Sequence, residues 1–221
     1  MLQALLFDCD GVIADSEAHW NEIDREHLAA FGVPDYDGRH KEHVIGKSFA
    51  LSIGFYRDAF GISADPDEMN RHRTQVASRF YAEQIPIYPG TLEVLEKCRA
   101  MNLKMALATS SVGALIRPFL VRHNIERFFD FIVTGEQVEN GKPHPDIYLK
   151  AAAGVGVAPT NCLVIEDALS GLQAGRAAGA RTVALPDARW LDPAQFAGQS
   201  DFLIDYLGEL PPLVERLRAE N

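Results

Sequence analysis

Apolar positions keep two rhythms along this chain, and the change between them divides it. After Pro89, short apolar runs alternate with longer amphipathic stretches. The pattern predicts helices over Thr91 to Ala100, Val112 to Asn124, Pro145 to Ala153 and Gly171 to Ala178. It predicts strands over Lys104 to Ala108, Phe131 to Thr134, Cys162 to Ile165 and Thr182 to Leu185. Continuous apolar strands separated by helices belong to a parallel sheet covered on both faces. The run Ala4 to Phe7 joins that sheet. Beyond Leu185, Pro186, Pro193, Pro211 and Pro212 suit loops and a closing helix.

Residues 16–87 behave differently. Leu28, Phe31 and Val33, then Phe49 to Phe60, then Met69 to Tyr81 show helical spacing and almost no strand signal. This is a small helical insert, entered near Ser16 and left near Ile85 to Gly90, where Pro86 and Pro89 suit a hinge. The expected fold is therefore α/β. A doubly wound parallel sheet, built from residues 1–15 and 88–221, carries an inserted α-helical cap over residues 16–87.

Composition narrows the partners. The 221 residues are 47% apolar with net charge -10, which suits a packed core and disfavours nucleic acid and membrane surfaces. No apolar run reaches the length of a membrane span. Cys9, Cys98 and Cys162 are odd in number and far apart, so they read as small buried hydrophobes in a reducing compartment. A cytoplasmic monomer acting on a small metabolite is the expectation.

Chemistry concentrates where strands end. Asp8 and Asp10 close the first strand one residue apart, so their side chains project the same way while Cys9 turns to the other side. Like charges so placed call for a cation or a shared proton. The second strand ends in Thr109-Ser110-Ser111, a loop with Lys142 follows the third, and the fourth ends in Glu166-Asp167. Ligands of open α/β sheets bind at this edge. Any one of these four strand-end groups has a bland explanation as a cap or a solvated charge; all four on one edge fit phosphoryl chemistry. Carboxylates suit Mg²⁺, a hydroxyl and backbone N–H groups suit phosphate, and lysine adds a compact positive charge.

The segments Asp8-x-Asp10-Gly11-Val12, Thr109 after its apolar strand, Gly141-Lys142-Pro143-x-Pro145-Asp146 and Val164-Ile165-Glu166-Asp167 resemble the four motifs of the haloacid dehalogenase-like (HAD) hydrolases. The helical insert after the first strand is similar to the branch that holds β-phosphoglucomutase and small sugar-phosphate phosphatases. The resemblance implies a Rossmannoid core and Mg²⁺-dependent hydrolysis of a phosphate monoester through an aspartyl-phosphate. It makes Asp8 the nucleophile and Asp10 the acid and base. Mg²⁺ would lie on the Asp8 carboxylate, the Asp10 carbonyl and Asp167, with Glu166 orienting metal-bound water. Thr109 and the Ser110 N–H would hold phosphoryl oxygens, Lys142 would neutralise them, and Lys47 would read substrate from the cap.

Two positions depart from the pattern. Ala168 follows Glu-Asp where members often carry serine. Trp20 stands where mutase members carry histidine, which counts against a phosphomutase. An inactive phosphometabolite-binding protein is the rival from another class, and the intact set Asp8, Asp10, Lys142 and Asp167 argues against it.

Overall fold

The computed structural model describes residues 1–40, 43–44 and 49–220. Among the described residues there are six strands: β1 (Ala4–Phe7), β2 (Lys104–Ala108), β3 (Phe131–Val133), β4 (Cys162–Glu166), β5 (Arg181–Ala184) and β6 (Phe202–Leu203). They form one parallel sheet in the order β3-β2-β1-β4-β5-β6. The chain winds one way through β1, β2 and β3, then crosses back to β4, β5 and β6. The reversal point lies between β1 and β4.

Alternation along β1 builds the two covering layers. Leu5 and Phe7 enter one core with Val94, Leu115, Phe119 and Leu213. These come from α4 (Thr91–Ala100), α5 (Gly113–Arg122) and α8 (Leu210–Ala219). Ala4 and Leu6 face the other way, against Ile147, Tyr148, Ala151 and Ala174. Those belong to α6 (Asp146–Gly154) and α7 (Leu169–Ala177). The expected doubly wound sheet is present. Several element bounds shift by one or two residues, and three differences stand out. Strand β6, two residues long, falls where only loops and a helix were expected. β4 extends to Glu166, and α7 starts at Leu169 because Ala168 is extended and serves as its N-cap.

Between β1 and α4 the chain forms α1 (Glu17–Ala30), α2 (Phe49–Phe60) and α3 (Pro66–Glu83). Local chemistry starts α3: the Asp65 side chain accepts from Asp67 N–H, Pro66 opens the helix, and Asp67 and Glu68 face its positive end. The insert is not merely hung on its linkers. α3 lies along α5, and Ile23, Val76, Phe80 and Tyr81 share the core that contains β1. Further out, Leu28, Tyr36, Val44 and Tyr56 make a small separate cluster.

The linkers are paired to each other. Ala14 and Ile87 form an antiparallel bridge, Asp15 N–H donates to Pro86 O at 3.0 Å, and Tyr88 N–H donates to Ile13 O at 2.9 Å. Arg189 then ties Asp15, at 2.8 Å, to Asp187, which also accepts from the Tyr88 hydroxyl at 2.9 Å. All three cysteines are buried free thiols. Among the described residues no helix is long and apolar enough to cross a membrane.

Candidate active site

The parallel ladder continues one residue past β1. Asp8 N–H donates to Ile165 O at 3.0 Å, which seats Asp8 beside the end of β4. Thr109 N–H donates to Val133 O at 3.1 Å and is fixed at the same edge. The crossover therefore gathers Asp8, Thr109, Glu166 and Asp167 at the sheet's reversal point, where open α/β sheets bind ligands.

Lys142 enters this group from the loop before α6. Its ammonium lies 2.6 Å from Asp8 Oδ1 and 2.6 Å from Glu166 Oε1, and donates to Ala108 O at 3.3 Å. The Lys142 side chain is only 7% exposed, so this charge is spent on the site rather than on solvent. The Tyr148 hydroxyl donates to Glu166 Oε1 from α6, and Ala168 N–H reaches Glu166 Oε2 at 3.4 Å.

Two glycines make room for the carboxylates. A Cβ at Gly11 would lie 1.9 Å from Asp167 Oδ2, and Gly11 has φ +78°. At Gly171 a Cβ would lie 1.8 Å from Glu166 Oε1. Gly171 thus serves the site rather than general helix packing.

Charge is unbalanced here. Carboxylate oxygens of Asp8, Glu166 and Asp167 all fall within 4.8 Å of one another. Burial pushes the Asp8 carboxyl up to about 8; Lys142 opposes this, while Glu166 and Asp10 reinforce it. Burial also raises Asp167, helped by Glu166 and Asp8. Lys142 is held protonated: burial works against its charge, but Asp8 and Glu166 outweigh it. A site that leaves two of its carboxyls reluctant to ionise is a site that fits a hard divalent cation.

Asp10 belongs to a different arrangement. Its Oδ2 accepts from Ser111 Oγ at 2.7 Å and from Thr109 Oγ1 at 3.4 Å. Its Oδ1 accepts from Ser16 Oγ at 2.8 Å and from the Tyr81 hydroxyl. Thr109 is fully buried and its oxygen also accepts from Ser111 N–H at 3.0 Å. Ser110 is exposed at the rim, its carbonyl 2.3 Å from where a Gly135 Cβ would stand.

So the structure brings together Asp8, Lys142, Glu166 and Asp167 in one cluster, and Asp10 with Thr109 in an adjoining one. Lys47 lies outside the described residues. Ser16, Tyr81, Ser111 and Tyr148 were not among the expected site residues. For Ser111 a signal existed, since it extends the hydroxyl run after the strand. Tyr81 and Tyr148 read as apolar helix positions.

A family model for haloacid dehalogenase-like hydrolases matches residues 5–185. The chain belongs to that family. As a HAD hydrolase it has well-covered relatives. It is 32% identical over 178 residues to the phosphorylated carbohydrates phosphatase of Thermotoga maritima, covering 80% of this chain and 82% of that one. It is 30% identical to hexitol phosphatase B of Escherichia coli, with 83% of each covered. Among solved structures, CbbY from Rhodobacter sphaeroides in complex with phosphate superposes with a TM-score of 0.82 at 28% identity, over 95% of this chain and 96% of that one. This HAD chain is a phosphatase-type hydrolase, of the branch that includes β-phosphoglucomutase-like proteins.

Proposed function

We propose that the protein hydrolyses a small phosphorylated carbohydrate through an aspartyl-phosphate on Asp8. The observation that carries this reading is the split between the two aspartates. Asp8 is clamped by Lys142 among acidic neighbours, whereas both oxygens of Asp10 accept hydrogen bonds from hydroxyls. One carboxylate is set to attack and the other to move protons.

In the first step an Asp8 oxygen attacks phosphorus, the bond to the sugar oxygen breaks, and Asp10 gives that oxygen its proton. In the second, water attacks the same phosphorus, Asp10 takes the water's proton, and the bond to Asp8 breaks. Inorganic phosphate leaves with Asp8 restored and Asp10 protonated again. Lys142 offsets negative charge on Asp8 and on the transferring group throughout. Thr109 and the Ser110 N–H would hold phosphoryl oxygens.

Asp8, Asp167 and the Asp10 backbone carbonyl would hold Mg²⁺, with Glu166, already engaged by Lys142 and Tyr148, acting from behind them. When bound, the ion supplies charge neutralisation for a phosphate approaching a nest of carboxylates. The helices of residues 16–87 serve as a cap that excludes water and selects the sugar, and Lys47 is its expected recognition residue.

The reading is supported by carbohydrate phosphatases among the relatives. A phosphomutase uses the same floor, but Trp20 in place of a histidine speaks against it. A panel of sugar and polyol phosphates with Mg²⁺ tests the choice. Phosphate release on some members is expected; isomerised sugar phosphate without phosphate release overturns hydrolysis in favour of the mutase.

A further inference from the structure

Asp10 must present one orientation twice, first to protonate a leaving oxygen and then to accept a proton from water. A carboxylate rotates easily about its Cβ–Cγ bond, so something must hold it. Thr109, Ser111 and Ser16 are near it in the sheet-edge loops and the first linker. The fourth donor comes from elsewhere.

Tyr81 sits in the last turn of α3, in the helical insert, and donates its hydroxyl to Asp10 Oδ1. The side chain is fully buried. Its ring stands edge-on to Trp20 of α1 at 6.2 Å and to Phe119 of α5 at 6.0 Å. The hydroxyl is thus aimed by rings on both sides of the seam between insert and sheet layer. In a seam this buried, water is a poor substitute for a lost donor.

We propose that Tyr81 is a positioning residue, which orients the Asp10 carboxylate and makes its proton transfers depend on α3 being seated against α5. The chain of contacts extends further. The Arg73 guanidinium lies 4.9 Å over the Trp20 ring and is paired with Asp24 at 2.8 Å. The buried polar network of the insert therefore backs the residue that aims Asp10. This assignment rests on the aspartyl-phosphate reading above.

Tyr81→Phe tests it, because the ring contacts with Trp20 and Phe119 survive and only the donor is lost. The probe is 4-nitrophenyl phosphate with Mg²⁺ in a stopped-flow instrument. Nitrophenolate departs without needing a proton, whereas hydrolysis of the phosphorylated enzyme still needs Asp10 as base. The expected result is a first release within about twofold of wild type and steady turnover lower by about tenfold. A burst of one nitrophenolate per enzyme then precedes the slow phase. Ser16→Ala, which removes the other donor to Oδ1, should act in the same direction, with the double variant less than multiplicative.

Proportional loss in both phases, no change in either, or a variant that fails to fold by thermal melting would overturn the assignment. The underlying reading is checked separately: wild type must release nitrophenolate with Mg²⁺, and Asp8→Asn must not. If those controls fail, the aspartyl-phosphate falls and Tyr81 with it. If they hold and the burst is missing, Tyr81 alone is wrong.

Discussion

Inside the insert, buried Asp24 meets buried Arg73 at 2.8 Å and accepts a second hydrogen bond, 2.6 Å long, from the Tyr56 hydroxyl. At the carboxyl edge of the sheet, Asp8, Glu166 and Asp167 crowd within 4.8 Å of one another around Lys142. The first arrangement is closed, with each charge answered by its neighbours. The second is left acidic, and burial drives Asp8 and Asp167 toward their neutral forms. Buried charges that are fully paired hold a structure, while those left in excess are open to a ligand. The contrast separates framework from chemistry without reference to any motif.

The sharpest way to break this contrast is to neutralise one charge in each place. Asp8→Asn should cut turnover on an aryl phosphate by on the order of 10⁴-fold or more, while the melting temperature holds or rises because a repelling charge is gone. A marked drop in melting temperature would show that the sheet edge is framework as well. Chelation should likewise abolish turnover, with Mg²⁺ restoring it. Added Mg²⁺ should also stabilise wild type, by about 2.7 kcal/mol at a hundredfold excess over its dissociation constant. Calorimetry with and without the ion reads this directly, and Asp167→Asn should erase the increment.

The converse change is Arg73→Met, which leaves Asp24 buried without its ion pair. Breaking such a pair costs roughly 3–5 kcal/mol, and urea unfolding should report a loss of that size. Per folded molecule, turnover should fall far less than in Asp8→Asn.

The shallowest effect, taken per pH unit, is a pH dependence confined to the insert. His27 is fully buried on α1, its Nδ1 3.2 Å from His72 Nδ1. Burial, reinforced by the charges of Arg73 and His72, lowers its pKa from 6.5 to about 3. The folded protein keeps the ring neutral, whereas the unfolded chain takes up a proton below about 6.5. This contribution is therefore complete above that value and is lost as pH falls toward 3, with a slope of at most about 1.4 kcal/mol per pH unit. His27→Gln should flatten that slope in denaturant titrations run between pH 4 and 7, where ~1 proton is at stake. An unchanged slope would assign the acid sensitivity to other groups.

Legibility in the sequence followed the same division. The floor of the site was readable because strands place their C-terminal residues in register: the ladder that fixes Leu6 beside Val164 also brings Asp8 beside the end of β4. Strand ends and the loop before α6 were enough to mark Asp8, Asp10, Thr109, Lys142, Glu166 and Asp167 as candidates and to place them at one sheet edge. Tyr81 lies 71 residues from Asp10 and has the spacing of any core aromatic, so only the packing of α3 on α5 reveals its hydroxyl. Tyr148 is hidden in the same way on the apolar face of α6. Strand β6 escaped because two residues carry no period, and it exists only through its pairing with β5. The buried pair of Asp24 and Arg73 reads as surface charge on two amphipathic helices until the helices meet.

The bridge between Ala14 and Ile87 has a consequence for how this molecule can be rebuilt. Each linker is the other's strand partner, so lengthening one by a residue shifts the register of both. Neither joint can be edited alone. The insert of a relative, exchanged for residues 16–87, would have to travel as a cassette, cut on both sides of this rung and returned with matched ends. Circular permutation within either joint would sever the rung as well, whereas new termini placed in an outer loop of the insert would leave it whole.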